Sequence, residues 1–309
     1  MKISIVTPCF DRAKFLDETI RSVIFQKGDF DIQYIIQVSG NDAEVDRVLS
    51  KWELSFAEGI EGINCNNLEF LVVREDDRNM YDGLNRGFEK ANGDLFAWIN
   101  SDDLYHNGAF QTVVDIASNY SDVYWLSGIP NSFNSVSSRT GYDKEPPVYS
   151  REFIRRGYYR IENLNDGFNW IAQDSCFWRR DLWNAAGSRL DDTKGLAADF
   201  YLWMEFARHA DLVKVNSFLG GYRFHGDQFT GDPDAYLKYL PDLRELPKNY
   251  RMLRNLTKRY SSLRRLLFNR RRGSPFLPLC RIEWDWLIGR RLEWSFEEDR
   301  WKIYHHPIF

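Results

Sequence analysis

In the first hundred residues, short β-branched runs alternate with amphipathic stretches, and this alternation narrows the choice of fold more than any other feature. Residues 3–7 read as a buried strand that Pro8 stops. Residues 15–25 carry Phe15, Leu16, Ile20, Val23 and Ile24 at helical spacing, with Asp17 and Glu18 favourably placed in the first turn. Residues 34–38 read as a second strand, and Ser39-Gly40-Asn41-Asp42 as a turn with capping residues. A helix over 44–56, a strand over 68–73 and a helix over 80–91 ended by Asn92-Gly93 follow. A fourth strand, 95–99, runs straight into Asn100-Ser101-Asp102-Asp103. Strands separated by helices of this length imply right-handed crossovers and a largely parallel sheet. Ligands of such sheets sit at the carboxyl ends of the strands, which gathers Pro8, Arg12, Ser39, Asp42, Glu75, Asp77, Asp102 and Asp103 around one crevice. The expected class is α/β, a Rossmann-like, mostly parallel sheet flanked by helices, with a small helical and β C-terminal extension.

Beyond residue 110 the pattern loosens. Residues 131–139 and 143–147 read as mobile loops, and a helical stretch near Arg151 precedes an aromatic-rich segment through Trp183. Residues 197–210 read as a helix whose beginning carries Asp199, and 213–222 as one strand passing through Gly220-Gly221. Residues 251–272 hold nine Lys and Arg and no acid, with leucines at 253, 256, 263, 266 and 267. That run reads either as a basic amphipathic helix lying on anionic lipid or as a solvated helix packed on the domain through its leucines. The tail, 282–309, with Trp284, Trp286, Trp294 and Trp301, reads as a small β-structured appendage.

Composition removes several function classes. A net charge of −4 does not suit a nucleic-acid binder. Cys9, Cys65, Cys176 and Cys280 lie far apart without zinc or disulfide spacing, which fits a reducing cytoplasm. The opening residues resemble no signal peptide, and no segment reaches roughly 18 apolar residues, so a chain that does not cross a membrane is expected. Aromatics reach 16% with 11 Trp, which fits either stacking on sugar faces or, for any single Trp more often, core filling.

Asp102-Asp103 carries the chemistry. Adjacent carboxylates at a strand end repel each other unless a divalent cation joins them, and hard cations prefer carboxylate oxygen. Taken alone, Ser-Asp-Asp before a helix is more often an N-cap. A glycine- and basic-rich phosphate loop is missing from Pro8-Cys9-Phe10-Asp11-Arg12, which argues against a nucleotidyltransferase. The lack of a glycine fingerprint there argues against a dehydrogenase.

The stretch from Arg74 to Phe88 (Arg-Glu-Asp-Asp-Arg-Asn-Met-Tyr-Asp-Gly-Leu-Asn-Arg-Gly-Phe), then Ala91-Asn92-Gly93-Asp94 and Asn100-Ser101-Asp102-Asp103, resembles the nucleotide-sugar half of family 2 glycosyltransferases. Ser4-Ile5-Val6-Thr7-Pro8-Cys9-Phe10-Asp11-Arg12 is similar to that family's first strand and loop. Ile171-Ala172-Gln173-Asp174-Ser175-Cys176-Phe177-Trp178-Arg179-Arg180-Asp181-Leu182-Trp183 and Ala198-Asp199-Phe200-Tyr201-Leu202-Trp203 are similar to its acceptor half. The resemblance covers about residues 1–230. It implies a glycosyltransferase A-type domain over 1–230 (nucleotide-sugar half 1–110, acceptor half 111–230), with 231–309 as an extension, basic and helical, then Trp-rich.

By position, the resemblance implies that Asp103 binds Mn2+ or Mg2+ and Asp102 the ribose or the metal's water shell. Thr7, Pro8 and Asp11 would line the base pocket, with Asp77 near base or ribose and Arg86 near the diphosphate. His225, within Tyr222-Arg223-Phe224-His225, would add a metal ligand and tilt the choice toward manganese. Asp199 would be the general base of an inverting transfer, its apolar neighbours raising its pKa, with Asp174 and Asp192 in reserve. The implied reaction moves a sugar, a hexose by default, from a nucleoside diphosphate sugar to a hydroxyl of a glycan or lipid-linked acceptor. Bacterial polysaccharide biosynthesis, at the inner face of the membrane if the basic region binds lipid, follows by analogy. Two departures stand out. Val38 occupies a position where relatives carry an acid that reads the base, so uridine is the default with thymidine or guanosine open. Asn79 replaces a frequent glycine. The alternative is a non-catalytic sugar-nucleotide-binding or scaffold protein on the same fold.

Overall fold

The computed structural model describes residues 1–142, 148–160, 162–163, 168–226, 236–242, 247–259 and 286–308. In the first third, β1 (Lys2–Phe10), β2 (Asp31–Ser39), β3 (Asn67–Arg74) and β4 (Leu95–Trp98) alternate with α1 (Leu16–Ile24), α2 (Ala43–Glu58) and α3 (Met80–Glu89). Then come β5 (Leu104–Tyr105), α4 (Ala109–Asn119), β6 (Trp125–Ser127), β7 (Asn131–Phe133), β8 (Arg139–Tyr142) and α5 (Arg151–Arg155). The remainder holds β9 (Cys176–Arg179), α6 (Arg180–Ala185), α7 (Ala198–His209), β10 (Leu212–Val215), β11 (Gly220–Arg223), α8 (Lys248–Arg259), β12 (Ile288–Ser295) and β13 (Arg300–Pro307).

Nine strands form one sheet in the order β13-β12-β10-β6-β9-β4-β1-β2-β3, parallel except for β9 and β13. The expected flanked, mostly parallel sheet is thus the fold. β1 is buried at every position from Ile3 to Cys9, as befits a strand covered on both faces. The chain runs outward through β2 and β3, then returns to place β4 on the other side of β1. The order therefore reverses between β1 and β4, the place where open α/β sheets leave a crevice. Several tryptophans fill the core: Trp98 stacks on Trp203 at 5.6 Å, and Trp125 on Trp203 at 5.6 Å, with Trp178 packed beside them, whereas Trp170 and Trp294 are exposed.

Four sequence expectations change. Pro8 does not stop β1, which pairs with β2 as far as Phe10. β4 pairs with β1 only to Val6, so the alternation of the strand turns the donor-less nitrogen of Pro8 toward a side the neighbour has already left. Residues 131–139 are not a loop but the β7–β8 hairpin, in a second sheet of order β5-β11-β7-β8. The single strand expected over 213–222 is two strands in different sheets, parted by a bend at Asn216-Ser217. A Cβ on Gly220 would lie 1.9 Å from the Asp174 carbonyl oxygen, so only glycine lets β11 rest against that turn. The C-terminal extension is β-structured as expected, but its hairpin prolongs the large sheet, since β12 pairs in parallel with β10.

α8 packs Tyr250 and Leu253 inward, and Tyr250 stacks on Trp286 at 5.3 Å. Met252 and Leu256 are exposed. The rest of the basic run, Trp284 and the loop over 143–147 lie outside the described residues. No helix among the described residues is long and apolar enough to cross a membrane.

Candidate active site

β4 ends in the crevice, and the Asn100–Asp103 turn that follows points its two acids in different directions. Asp103 is fully buried: its Oδ1 accepts the Arg223 backbone N–H at 2.8 Å and its Oδ2 accepts the Asn100 amide at 3.1 Å. Burial and the carboxylates of Asp102 and Asp174 push its pKa well above the usual range, opposed by those hydrogen bonds. Asp102 turns outward. Its Oδ2 lies 3.0 Å from His225 Nε2 and 3.9 Å from Arg12 Nη1. Asp103 thus anchors the turn to β11, and Asp102 is the acid that borders the crevice. The Thr19 hydroxyl fixes the turn from below, 3.0 Å from the Ser101 carbonyl and 2.8 Å from that of Asp103.

Asp102 and His225 border a cavity of about 310 Å³ whose walls include Asp11, Arg12, Lys14 and Phe15. The His225 ring leans on Phe15 at 4.9 Å between centroids. A carboxylate oxygen and an imidazole nitrogen held this close are donors that a divalent cation could share. Among the described residues no group of three His, Cys, Asp or Glu side chains is assembled to hold a metal. A cation here would therefore need further oxygens from its ligand and water.

On the nucleoside side the sequence candidates separate. Thr7 and Pro8 are buried in β1 and support the crevice from beneath, the Thr7 hydroxyl lying 3.0 Å from the Tyr34 phenol oxygen. Asp11 lies on the cavity wall with φ 46°, a left-handed conformation in which Asp is among the tolerated residues. Gly40 makes room for it: a Cβ there would sit 2.6 Å from Asp11 Oδ1. Val38 is a core residue opposite Cys9 and presents nothing polar, so the usual acid has no substitute at that position. Asp77 follows β3, its backbone N–H on the Ser39 hydroxyl at 3.1 Å, and burial together with the Asp82 carboxylate raises its pKa.

Arg86 is engaged away from the cavity wall, by Asp82 at 3.4 Å and Glu75 at 3.8 Å. The cations on that wall are Arg12, which the sequence already places at the crevice, and Lys14, which it did not single out. Its position just past β1 was the available signal.

Asp199 stands in the first turn of α7, its Oδ1 accepting the Phe200 N–H at 2.6 Å. Although the residue keeps some solvent exposure, Tyr81 and Tyr236 lie close, and burial raises its pKa to about 7. Asp174 is buried in the turn Gln173–Ser175, near Asp103. Asp192 is ion-paired with Arg78 and, at 3.3 Å, with Arg189.

The sequence model of a family described as "Glycosyl transferase family 2" matches residues 4–182. A comparison with curated protein sequences finds no match. Among solved structures, a fragment of S. aureus TarS (1–349) superposes with a TM-score of 0.54 at 15% identity, covering 90% of this chain and 77% of that one. The same fragment in complex with UDP-GlcNAc gives 0.55 at 15% identity, over 90% of this chain and 78% of that one. A complex with UDP gives 0.54 at 15% identity over the same shares. At this identity the likeness speaks for the fold.

Proposed function

The chain belongs to glycosyl transferase family 2, and from that premise we propose an inverting transfer of a sugar, from a UDP-sugar by preference, to an acceptor hydroxyl. The observation that carries the reading is the Asp102–His225 pair, 3.0 Å apart over a cavity at the switch point of the sheet. The TarS fragment binds UDP-GlcNAc and UDP on a similar fold, which favours uridine here in the absence of an acid at Val38.

In this mechanism the nucleoside lies toward Asp11 and Asp77, and its diphosphate enters the cavity. Arg12 and Lys14 offset the phosphate charge, and charge-assisted hydrogen bonds from Arg orient it. Asp102 and His225 would hold Mn2+ or Mg2+, which would supply neutralisation of the charge on the departing diphosphate. The Asp199 carboxylate takes the proton of the acceptor hydroxyl as that oxygen bonds to the anomeric carbon. The bond from that carbon to the diphosphate oxygen breaks on the opposite face, and the nucleoside diphosphate leaves with its electron pair. A pKa near 7 suits the base, because it is ionised near neutral pH yet basic enough to accept a proton. The acceptor class, a glycan or a lipid-linked glycan, rests on the family and on the basic face of α8, whose Lys248, Arg251 and Arg259 would suit an anionic lipid surface.

The test needs no acceptor, since water can replace it. Release of nucleoside diphosphate is measured from UDP-, GDP- and dTDP-sugars with manganese, magnesium or chelator, and the anomeric form of the freed sugar is read by NMR. Cation-dependent release from UDP-sugars with inverted configuration, lost in Asp102→Ala, is the expected result. Retention of configuration, or release indifferent to chelator, would overturn the mechanism.

A further inference from the structure

Arg223 is the largest charged side chain among the fully buried ones, and the mechanism above gives it no role. Among the described residues its guanidinium binds three segments. Nε donates to the Asp102 carbonyl at 2.6 Å, Nη2 to Glu18 on α1 at 2.9 Å, and Nη1 to the Ser137 hydroxyl at 2.8 Å. A longer contact of 3.4 Å runs from Nη1 to the Asn134 carbonyl in the β7–β8 turn. Ser137 in turn donates to Glu18, closing the network. The guanidinium lies 4.3 Å from the centroid of Phe15, the ring that also contacts His225. The Arg223 backbone N–H meets Asp103, and β7 fixes the next residue through the Phe224 N–H on the Phe133 carbonyl at 2.8 Å.

Burying an unpaired cation is costly, and a lone structural role in this corner could be filled by apolar side chains. Here the cation makes its shortest bond to the peptide of Asp102, and it ends β11, two residues before His225. It therefore touches the supports of both members of the pair and neither functional group itself.

We propose that Arg223 is a positioning residue that sets the spacing of Asp102 and His225, and with it the affinity for the cation that accompanies the donor diphosphate. This rests on the cation reading given above. The guanidinium fork is the essential part: a lysine ammonium keeps the charge but cannot serve Asp102, Glu18 and Ser137 at once in fixed geometry. Glu18 is 44% exposed, so water can take over its side of the network when the fork is lost. The loss then falls on the Asp102 peptide.

The experiment compares the full-length wild type, Arg223→Lys and Arg223→Met. Mn2+ binding is followed by electron paramagnetic resonance, and UDP binding by calorimetry with and without Mn2+. In the wild type, Mn2+ tightens UDP. In both variants that tightening should fall about tenfold or more, the scale of one charge-assisted hydrogen bond. UDP affinity without metal should stay within about twofold, because no Arg223 atom faces the cavity. A role confined to stability would lower the melting temperature and leave the Mn2+ effect untouched. If Arg223→Met does not fold, Arg223→Lys decides. Equal tightening in the wild type and the folded variants overturns this proposal alone. A wild type whose UDP affinity ignores Mn2+ overturns the cation reading and this proposal with it.

Discussion

Replacing Asp199 by asparagine removes a carboxyl whose pKa burial has raised from 3.8 to about 7. At 1.36 kcal/mol per pH unit the shift is equivalent to about 4 kcal/mol between the two protonation states, an upper figure because the residue keeps some contact with solvent. The sign follows from proton binding. Between pH 4 and 7 the folded protein holds a proton that the unfolded chain has released, so stability from this group is complete below pH 4 and lost as pH rises through 7. Asparagine carries no such penalty, and Asp199→Asn should melt higher than the wild type at pH 8 and not at pH 4. Activity should move the other way. A base with a pKa of about 7 is only about one-tenth ionised at pH 6, so donor hydrolysis at saturating donor should rise about tenfold per unit below neutrality and level above it. At the plateau, Asp199→Asn should lose about 10²–10⁴-fold, the usual contribution of a positioned base. The assay is hydrolysis from pH 5 to 8.5, with donor affinity measured at each pH to separate binding from chemistry. A flat wild-type profile, together with substantial activity in Asp199→Asn, would refute both the assignment and the argument from burial.

Asp102→Asn should abolish the cation-dependent part of UDP binding with little change in melting temperature, whereas Asp103→Asn should cost about 1–3 kcal/mol of stability by setting an amide donor against that of Asn100. Calorimetry and thermal melts on the two variants separate these effects. Arg12→Ala should raise donor KM by about ten- to a hundredfold, the range for a lost hydrogen bond to a charged group, with circular dichroism unchanged. Gly220→Ala should destabilise by about 3 kcal/mol in chemical denaturation, because its Cβ would overlap the Asp174 carbonyl.

Much of the N-terminal half is legible in the sequence because β1, β2 and β4 are buried along most of their length and its helices are amphipathic. The four strands of that half and the helices between them fall where periodicity puts them, within a few residues at their ends. Pro8 shows the limit of a local rule: whether a proline ends a strand depends on how far its neighbour runs, and that is set by β4, some ninety residues later. The β7–β8 hairpin is hidden for a similar reason. Asn131-Ser132-Phe133 is polar and short, and it becomes a strand because β11 lies beside it. At the site, residue types were readable and their directions were not. Asp102 and Asp103 are chemically identical neighbours, and it is the Arg223 backbone N–H and the Asn100 amide, brought there by the fold, that hold Asp103 inward. Arg86 has the right charge, but Asp82 and Glu75 engage it away from the cavity. Lys14, an ordinary loop cation by sequence, lines the cavity beside Arg12 and Asp102.

Diffraction from crystals grown with UDP and manganese, recorded at the manganese absorption edge, tests the central claim most directly. The account predicts an anomalous peak bound by Asp102 Oδ2 and His225 Nε2, with the diphosphate in the cavity beside Arg12 and Lys14. Nucleotide bound elsewhere, or bound in that cavity with no manganese at the Asp102–His225 pair, would contradict it.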